Sequence, residues 1–361
     1  MTPGTQPYRA VLIPGDGVGP DLTAAAVRVV DATGVRIDWD VHDVGTPALE
    51  RGLDPLPERT VRAVRECGVG LKGPVSTSAV GGFRSVNIGL RRALGLYVQV
   101  RRCRTFPGVP APFEGIDVLV VRETTEDLYG GVDLPAEEEA TQELVHWLRD
   151  RGADLNDGAA LSVKPVSAVA TRRAARLALS YARDAGRQRA TIVHKATVMR
   201  ATDGLFLRTT REEAAAFPDI SVDDALVDAV AADLVRRPQA ADVLFTLNMY
   251  GDILADLAGG VVGGIGLVPG ANLGEGVAVF EPAHGTAPRH AGKDEVDPVA
   301  TILSAALLLE HLGEADAARR IERAVAAVLE EGEAVTYDVC RPGRTPVGTA
   351  AMTQAIIGRL S

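Results

Sequence analysis

Long hydrophobic runs are missing from this sequence: no stretch approaches the ~20 consecutive apolar residues that a membrane-spanning helix needs. A basic stretch is missing too. Lys and Arg total 38 against 48 Asp and Glu, a formal net charge of −10. Without a Lys/Arg-rich run there is no concentrated positive face of the kind that nucleic acid or an anionic membrane requires, so neither is expected as a partner. Cysteine is scarce. The three present, Cys67, Cys103 and Cys340, stand far apart with no CxxC, which argues against a zinc site and a disulfide framework. The opening MTPGTQPYRAVLIPGDG does not follow a basic segment with an apolar one, as a secretory signal does, and the expected location is cytoplasmic. Internal repeats and low-complexity linkers are also absent.

What is there suits a globular enzyme. At 361 residues, 46% hydrophobic and 24% charged, the chain can bury a core large enough to divide into two lobes. Tyr8 to Ile13 (YRAVLI) reads as a buried strand entering a glycine turn, and Asp21 to Ala32 as a helix. Val118 to Val121 (VLVV) and Val243 to Leu247 (VLFTL) are further strand candidates, separated by long alanine-rich helical patterns. Strands alternating with helices imply an α/β protein with a largely parallel sheet. Leu134 to Gly158 differs: it is acidic, has Pro135 near its start and ends in a turn-rich NDG, and so reads as a helix inserted between core elements. Glu137 to Glu139 suit the positive end of that helix. The glycines between Gly259 and Gly276 suggest loops that approach a ligand or another backbone closely.

Several segments carry possible chemistry, each with a plainer alternative. Gly15-Asp16-Gly17-Val18-Gly19-Pro20 follows a strand and precedes a helix, but its spacing fits neither the dinucleotide fingerprint nor a Walker loop; it is either a structural turn or a ligand loop. Lys72, Ser85, Asn87, Arg91, Arg92, Arg101, Arg102 and Arg122 supply forked cations and small donors suited to carboxylates. Arginines are usually solvated, yet Arg122 directly ends the apolar run VLVV, at what should be the ligand edge of a sheet. Asp252 and Asp256 stand at i and i+4, where like charges on one helix face repel by roughly 0.2–0.5 kcal/mol. Either they face solvent at a helix start, or a hard divalent cation relieves the repulsion. Lys195, after the apolar ATIV, is a proton-transfer group or an ordinary surface lysine, and Tyr129 is equally ambiguous alone.

Taken in order, the blocks IPGDGVGP, LKGPVST, GGFRSVNIGLRR, VRETTEDLYGG, HKATVMRATDGLF, NMYGDILADL and EPAHGTAPRHAGKDEVDP resemble the isocitrate and isopropylmalate dehydrogenase family, most of all its bacterial NADP-dependent isocitrate dehydrogenases. The resemblance runs from Leu12 to about Leu360. It implies an α/β fold that is not a Rossmann fold, with a large cofactor-side domain from residues 1–96 and 263–361. A small substrate and metal domain, 97–126 and 168–262, and a clasp-like insertion, 127–167, complete it. Ser85, Asn87, Arg91, Arg101 and Arg122 would then hold the carboxylates of a tricarboxylate, with Lys72 nearby. Asp252 and Asp256 would bind Mg²⁺ or Mn²⁺, joined by Asp228 from a partner chain. Tyr129 and Lys195 would transfer protons, Lys195 also from the partner, so the active sites of a homodimer would be shared.

The resemblance places the dinucleotide against His284-Gly285-Thr286-Ala287, with Thr77 near the nicotinamide and Asp297 near the adenine, where the family usually has asparagine. NAD-using relatives typically carry an acid and an apolar residue where this chain has Arg289 and His290. Together with Tyr337 and Arg341 these suit the 2′-phosphate of NADP. Ser85 matches a serine that some bacterial relatives phosphorylate. Arg102 replaces a usual proline and Thr124 a usual asparagine, so a homoisocitrate or specialised-metabolism analogue stands as an alternative substrate. A non-catalytic regulatory subunit is the rival reading from another class.

Overall fold

The computed structural model describes residues 6–76 and 85–360. Its strands are β1 (Tyr8–Ile13), β2 (Ile37–Val41), β3 (Val69–Lys72), β4 (Leu96–Arg104), β5 (Asp117–Glu123), β6 (Asp133–Leu134), β7 (Leu161–Ser162), β8 (Arg189–His194), β9 (Ser221–Leu226), β10 (Val243–Thr246), β11 (Pro269–Gly274) and β12 (Ala278–Pro282). Ten of them form one sheet in the order β2-β1-β3-β12-β11-β4-β5-β10-β8-β9, while β6 and β7 pair apart from it. The expected strands are present: YRAVLI is β1, VLVV lies within β5 and VLFT is β10. Each is buried along most or all of its length, as apolar runs too short for helices should be.

The two wings of the sheet are parallel, but its centre is not: β11 pairs antiparallel with both β12 and β4, and β4 antiparallel with β5. A tight turn explains the first pairing. Gly274 N–H donates to Val277 O at 2.9 Å, and Gly276 takes φ 70°, so β11 and β12 make a hairpin, which only antiparallel strands can do. Helices cover both faces, and the nearly all-apolar helix Val299–His311 packs against β11 and β12 in the middle.

The first helix spans Gly19–Ala32, starting before Asp21 because Pro20 sits in its first turn, where a missing N–H is not needed. The inserted segment forms the helix Glu139–Arg149 between β6 and β7, with Glu138 and Glu139 at its N-terminus. Among the described residues no helix is long and apolar enough to cross a membrane.

Candidate active site

The strand register determines which charged side chains meet. Across β12, β11 and β4, Glu281 is opposite Gly270 and Gly270 opposite Arg101; one step along, Asn272 is opposite Gln99 and Gln99 opposite Arg122 on β5. Side chains two apart on a strand share a face, so Glu281, Arg101, Asn272, Gln99 and Arg122 all project the same way. Lys72 ends β3, and Arg91 comes from the last turn of the helix Val86–Leu94. The result is a cavity of about 530 Å³ lined by Lys72, Ser85, Asn87, Arg91, Arg101, Arg122, Tyr129 and Asp252, with His284 to Thr286 along its rim. Of the cluster singled out for carboxylate binding, Lys72, Ser85, Asn87, Arg91, Arg101 and Arg122 are brought together, while Arg92 and Arg102 are not among the lining residues. Thr77 and Arg84 lie outside the described residues.

Glu281 organises the floor and was not singled out from the sequence. Its carboxylate accepts from Lys72 Nζ at 2.7 Å, from Arg91 Nη2 at 3.3 Å and from Asn272 Nδ2 at 2.9 Å, and Arg101 Nη2 lies 3.8 Å away. Burial alone would raise its pKa, but Lys72, Arg91 and Arg101 hold it well below the usual glutamate range. Its signal was available: it ends the run VAVF as Arg122 ends VLVV. Glycines make the room. A Cβ on Gly270 would come within 2.6 Å of Arg101 Nη1, and one on Gly251 within 2.7 Å of Arg122 Cβ.

Arg122 is nearly buried. It donates from Nε to Asn248 Oδ1 at 2.7 Å, pairs through Nη1 with Asp252, and lies 4.8 Å from the Tyr129 ring centre. Burial lowers its pKa, against which Asp252 acts. Tyr129 donates its hydroxyl to Asp252, and burial, then that carboxylate, raise its pKa. Arg92 fixes the turn that carries Tyr129, donating to Tyr129 O at 3.1 Å and Gly130 O at 2.6 Å. Asp252 and Asp256 do lie on one helix, Asn248–Val261. Burial first, then Asp252, push the Asp256 pKa up, while Arg101 and Arg122 draw it down. Among the described residues no three His, Cys, Asp or Glu side chains gather into a metal-binding cluster, and of the two aspartates Asp252 lines the cavity while Asp256 does not.

Lys195 and Asp228 are not in this cavity. They pair with each other where β8 ends and the helix Val227–Arg236 begins. Arg102 is likewise absent from the lining. It binds Asp117 at 3.0 Å and Glu322 at 3.3 Å, and Thr124 donates to Leu96 O at 2.9 Å, so both departures from the family pattern serve the scaffold.

The glycine turn packs against another loop. Val18 N–H donates to Thr286 O at 3.0 Å, and a Cβ on Gly17 would lie 2.0 Å from that oxygen, so the turn braces the loop at His284 to Ala287. Ala287 takes φ 35° in that loop. Among the described residues, His284 Nε2 and Asn87 Oδ1, on residues that line the cavity, are buried without a hydrogen-bond partner and are open to a ligand. Arg289 is exposed; His290 Nδ1–H donates to Glu295 Oε1 at 2.7 Å, and its ring stacks on Tyr337 with 6.0 Å between ring centres. Arg341 donates from Nε to Gly108 O at 2.8 Å and from Nη2 to Glu330 O at 3.2 Å, which occupies part of its fork. Asp297 is buried; Oδ1 accepts from Val299 N–H at 2.8 Å, Oδ2 has no partner among the described residues, and burial with nearby Asp338 raises its pKa well above the usual range.

The sequence profile of isocitrate/isopropylmalate dehydrogenase matches residues 9–356. The chain belongs to the isocitrate/isopropylmalate dehydrogenase family. Within that family it is 40% identical to a Caenorhabditis elegans protein named probable isocitrate dehydrogenase [NAD] subunit alpha, mitochondrial, over 95% of this chain and 90% of that one. It is 35% identical to isocitrate dehydrogenase [NADP] of Archaeoglobus fulgidus, over 96% and 91% of the two chains. The solved isocitrate dehydrogenase of Methylococcus capsulatus superposes with a TM-score of 0.88 at 44% identity, covering 98% of this chain and 99% of that one. The α/β, non-Rossmann family fold is thereby established.

Proposed function

We propose that this chain catalyses the oxidative decarboxylation of isocitrate to 2-oxoglutarate, with NADP as acceptor and Mg²⁺ or Mn²⁺ as its metal. The observation that carries the reading is the charge of the cavity: Lys72, Arg91, Arg101 and Arg122 converge there against Glu281 and Asp252, leaving forked donors for a polyanion. Arg91, Arg101 and Arg122 bind the carboxylates, with Ser85 and Asn87 directing the remaining polar groups. Asp252 and Asp256, whose mutual repulsion a cation relieves, hold the metal with Asp228 of a second copy. When bound, the nicotinamide accepts the hydride and the cation polarises the substrate hydroxyl. Lys195 of the second copy takes the hydroxyl proton. Tyr129, whose hydroxyl stands in the cavity beside Asp252, returns a proton to the carbon that has lost CO₂.

A second copy is needed because Lys195 and Asp228 stand outside the cavity. The segments that carry them and Asp252 also expose Val198, Val235 and Ile253, and the insertion exposes Val132, Trp147 and Val163, apolar surface that a homodimer covers. In this reading residues 127–167 form the clasp, residues 1–96 and 263–361 the cofactor side, and residues 97–126 and 168–262 the substrate side. Arg289, His290 and Tyr337 support NADP, since exposed Arg289 remains available to a phosphate. Three free cysteines fit a cytoplasmic protein.

The test is turnover followed by absorbance of the reduced nicotinamide, with Mg²⁺ and each of isocitrate, homoisocitrate and isopropylmalate. Isocitrate with NADP should give the highest kcat/KM. No turnover with any of them would leave the regulatory-subunit reading, and equal efficiency with NAD would remove the phosphate site.

A further inference from the structure

A second charged cluster lies outside the cavity and takes no part in the chemistry above. Lys164, between β7 and the helix Ala168–Asp184, is 12% exposed at its side chain. Its Nζ donates to Asp203 Oδ1 at 2.7 Å and lies 3.7 Å from Asp127 Oδ1; the two carboxylates are 0% and 1% exposed. Among the described residues Asp127 Oδ1 has no hydrogen-bond partner, and Lys164 is the cation that pairs with it. The Lys164 ammonium also lies 4.6 Å from the Tyr250 ring centre, and Tyr250 donates its hydroxyl to Asp203 Oδ2 at 3.1 Å.

Each carboxylate holds one backbone element of the proposed chemistry. Asp127, at φ 68°, opens the short turn Asp127–Gly130 that carries Tyr129, and its Oδ2 accepts from Met249 N–H at 2.8 Å, at the start of the helix bearing Asp252 and Asp256. Asp203 Oδ2 accepts from Lys195 N–H at 2.7 Å. One ammonium thus joins the group that positions Tyr129 and Asp252 to the group that positions Lys195.

We propose that Lys164 is a positioning residue that ties the Tyr129–Asp252 half-site of a chain to the Lys195 half-site of the same chain, so that order in one imposes order on the other. Resting on the shared-site reading above, these half-sites serve different cavities of a dimer, and Lys164 couples its two active sites through buried charge. The coupling element is contiguous: carboxylate, ammonium, carboxylate, with each carboxylate accepting one backbone N–H.

The test is amide hydrogen exchange on the metal-free and nucleotide-free protein. In Lys164→Met, protection of both the Met249 and the Lys195 amides should fall at least about tenfold, with the β1 amides unchanged and partial recovery in Lys164→Arg. Loss at only one of the two amides, or at neither, overturns the proposal. Should Lys164→Met not fold, Lys164→Gln carries the same test, since an amide cannot neutralise two carboxylates. A second measurement uses dimers with one working site, assembled from a Tyr129→Phe chain and a native chain. Placing Lys164→Met in either chain should lower kcat, through Tyr129 in one case and through Lys195 in the other, with substrate KM little changed; an effect from one placement alone also overturns it. The shared-site reading fails separately, if Tyr129→Phe and Lys195→Met chains recover no activity when mixed, and the exchange result still decides the internal link.

Discussion

Glu281 shows how one residue can decide whether a cluster of cations is tolerable. Lys72, Arg91 and Arg101 converge on its carboxylate, on a side chain 7% exposed, and none of them would be held so closely without it. Glu281→Gln should therefore destabilise the fold by about 3–5 kcal/mol, the cost of removing one partner from a buried ionic group; urea unfolding measures it, and a loss under about 1 kcal/mol would mean that the site is wetter than its geometry shows. Asp297 works in the opposite direction. Its folded pKa is raised, so its contribution to stability is complete below the ordinary aspartate pKa and is lost as pH rises towards the folded value. Asp297→Asn, which cannot ionise, should raise Tm at neutral pH, with the gain vanishing near pH ~4. A pH-independent change in Tm would contradict the assignment.

At the scale of elements, the central antiparallel strands do what parallel wings alone would not. The hairpin of β11 and β12 brings Glu281 beside Arg101 with only Gly270 between them. Gly270→Ala would place a methyl group 2.6 Å from Arg101 Nη1, and the guanidinium has to move. Substrate KM should rise by at least about tenfold, because a displacement of ~1 Å in a positioned group is enough for a large loss. Titrating substrate into the variant checks this, and an unchanged KM would take Arg101 out of the binding site. The helix Asn248–Val261 plays the corresponding part for the acids. Gly251 lets it lie against Arg122, which leaves Asp252 within reach of both Arg122 and Tyr129.

For the whole molecule the arrangement of Tyr129, Asp252, Lys195 and Asp228 is decisive. Two of the four line the cavity, and two pair elsewhere on the same chain. A Tyr129→Phe preparation mixed with a Lys195→Met preparation, each nearly inactive alone, should regain about a quarter of native activity once chains exchange, since half the dimers then contain one intact site. Absence of recovery, with mixed dimers verified by mass, would confine the chemistry to one chain.

Much of this was legible in the residues. YRAVLI, VLVV and VLFT announced buried strands because fully covered strands have no polar face to show. Arg122 announced itself by ending one of them, and Asp252 and Asp256 by their spacing on a helix. Other features were illegible for physical reasons. The antiparallel centre depends on a turn between strands whose composition resembles that of their parallel neighbours. That the glycine turn at Gly15 to Gly19 braces the loop at Thr286 shows only once the two are seen together. Asp127, Lys164 and Asp203 are far apart in sequence, and each alone reads as a surface charge. The sequence by itself determined several of the elements, the family and the kinds of side chain available, because periodicity and local motifs act over short stretches of chain. Only the tertiary structure decided which charges neutralise one another, since burial and distance, which set that balance, arise when the sheet closes.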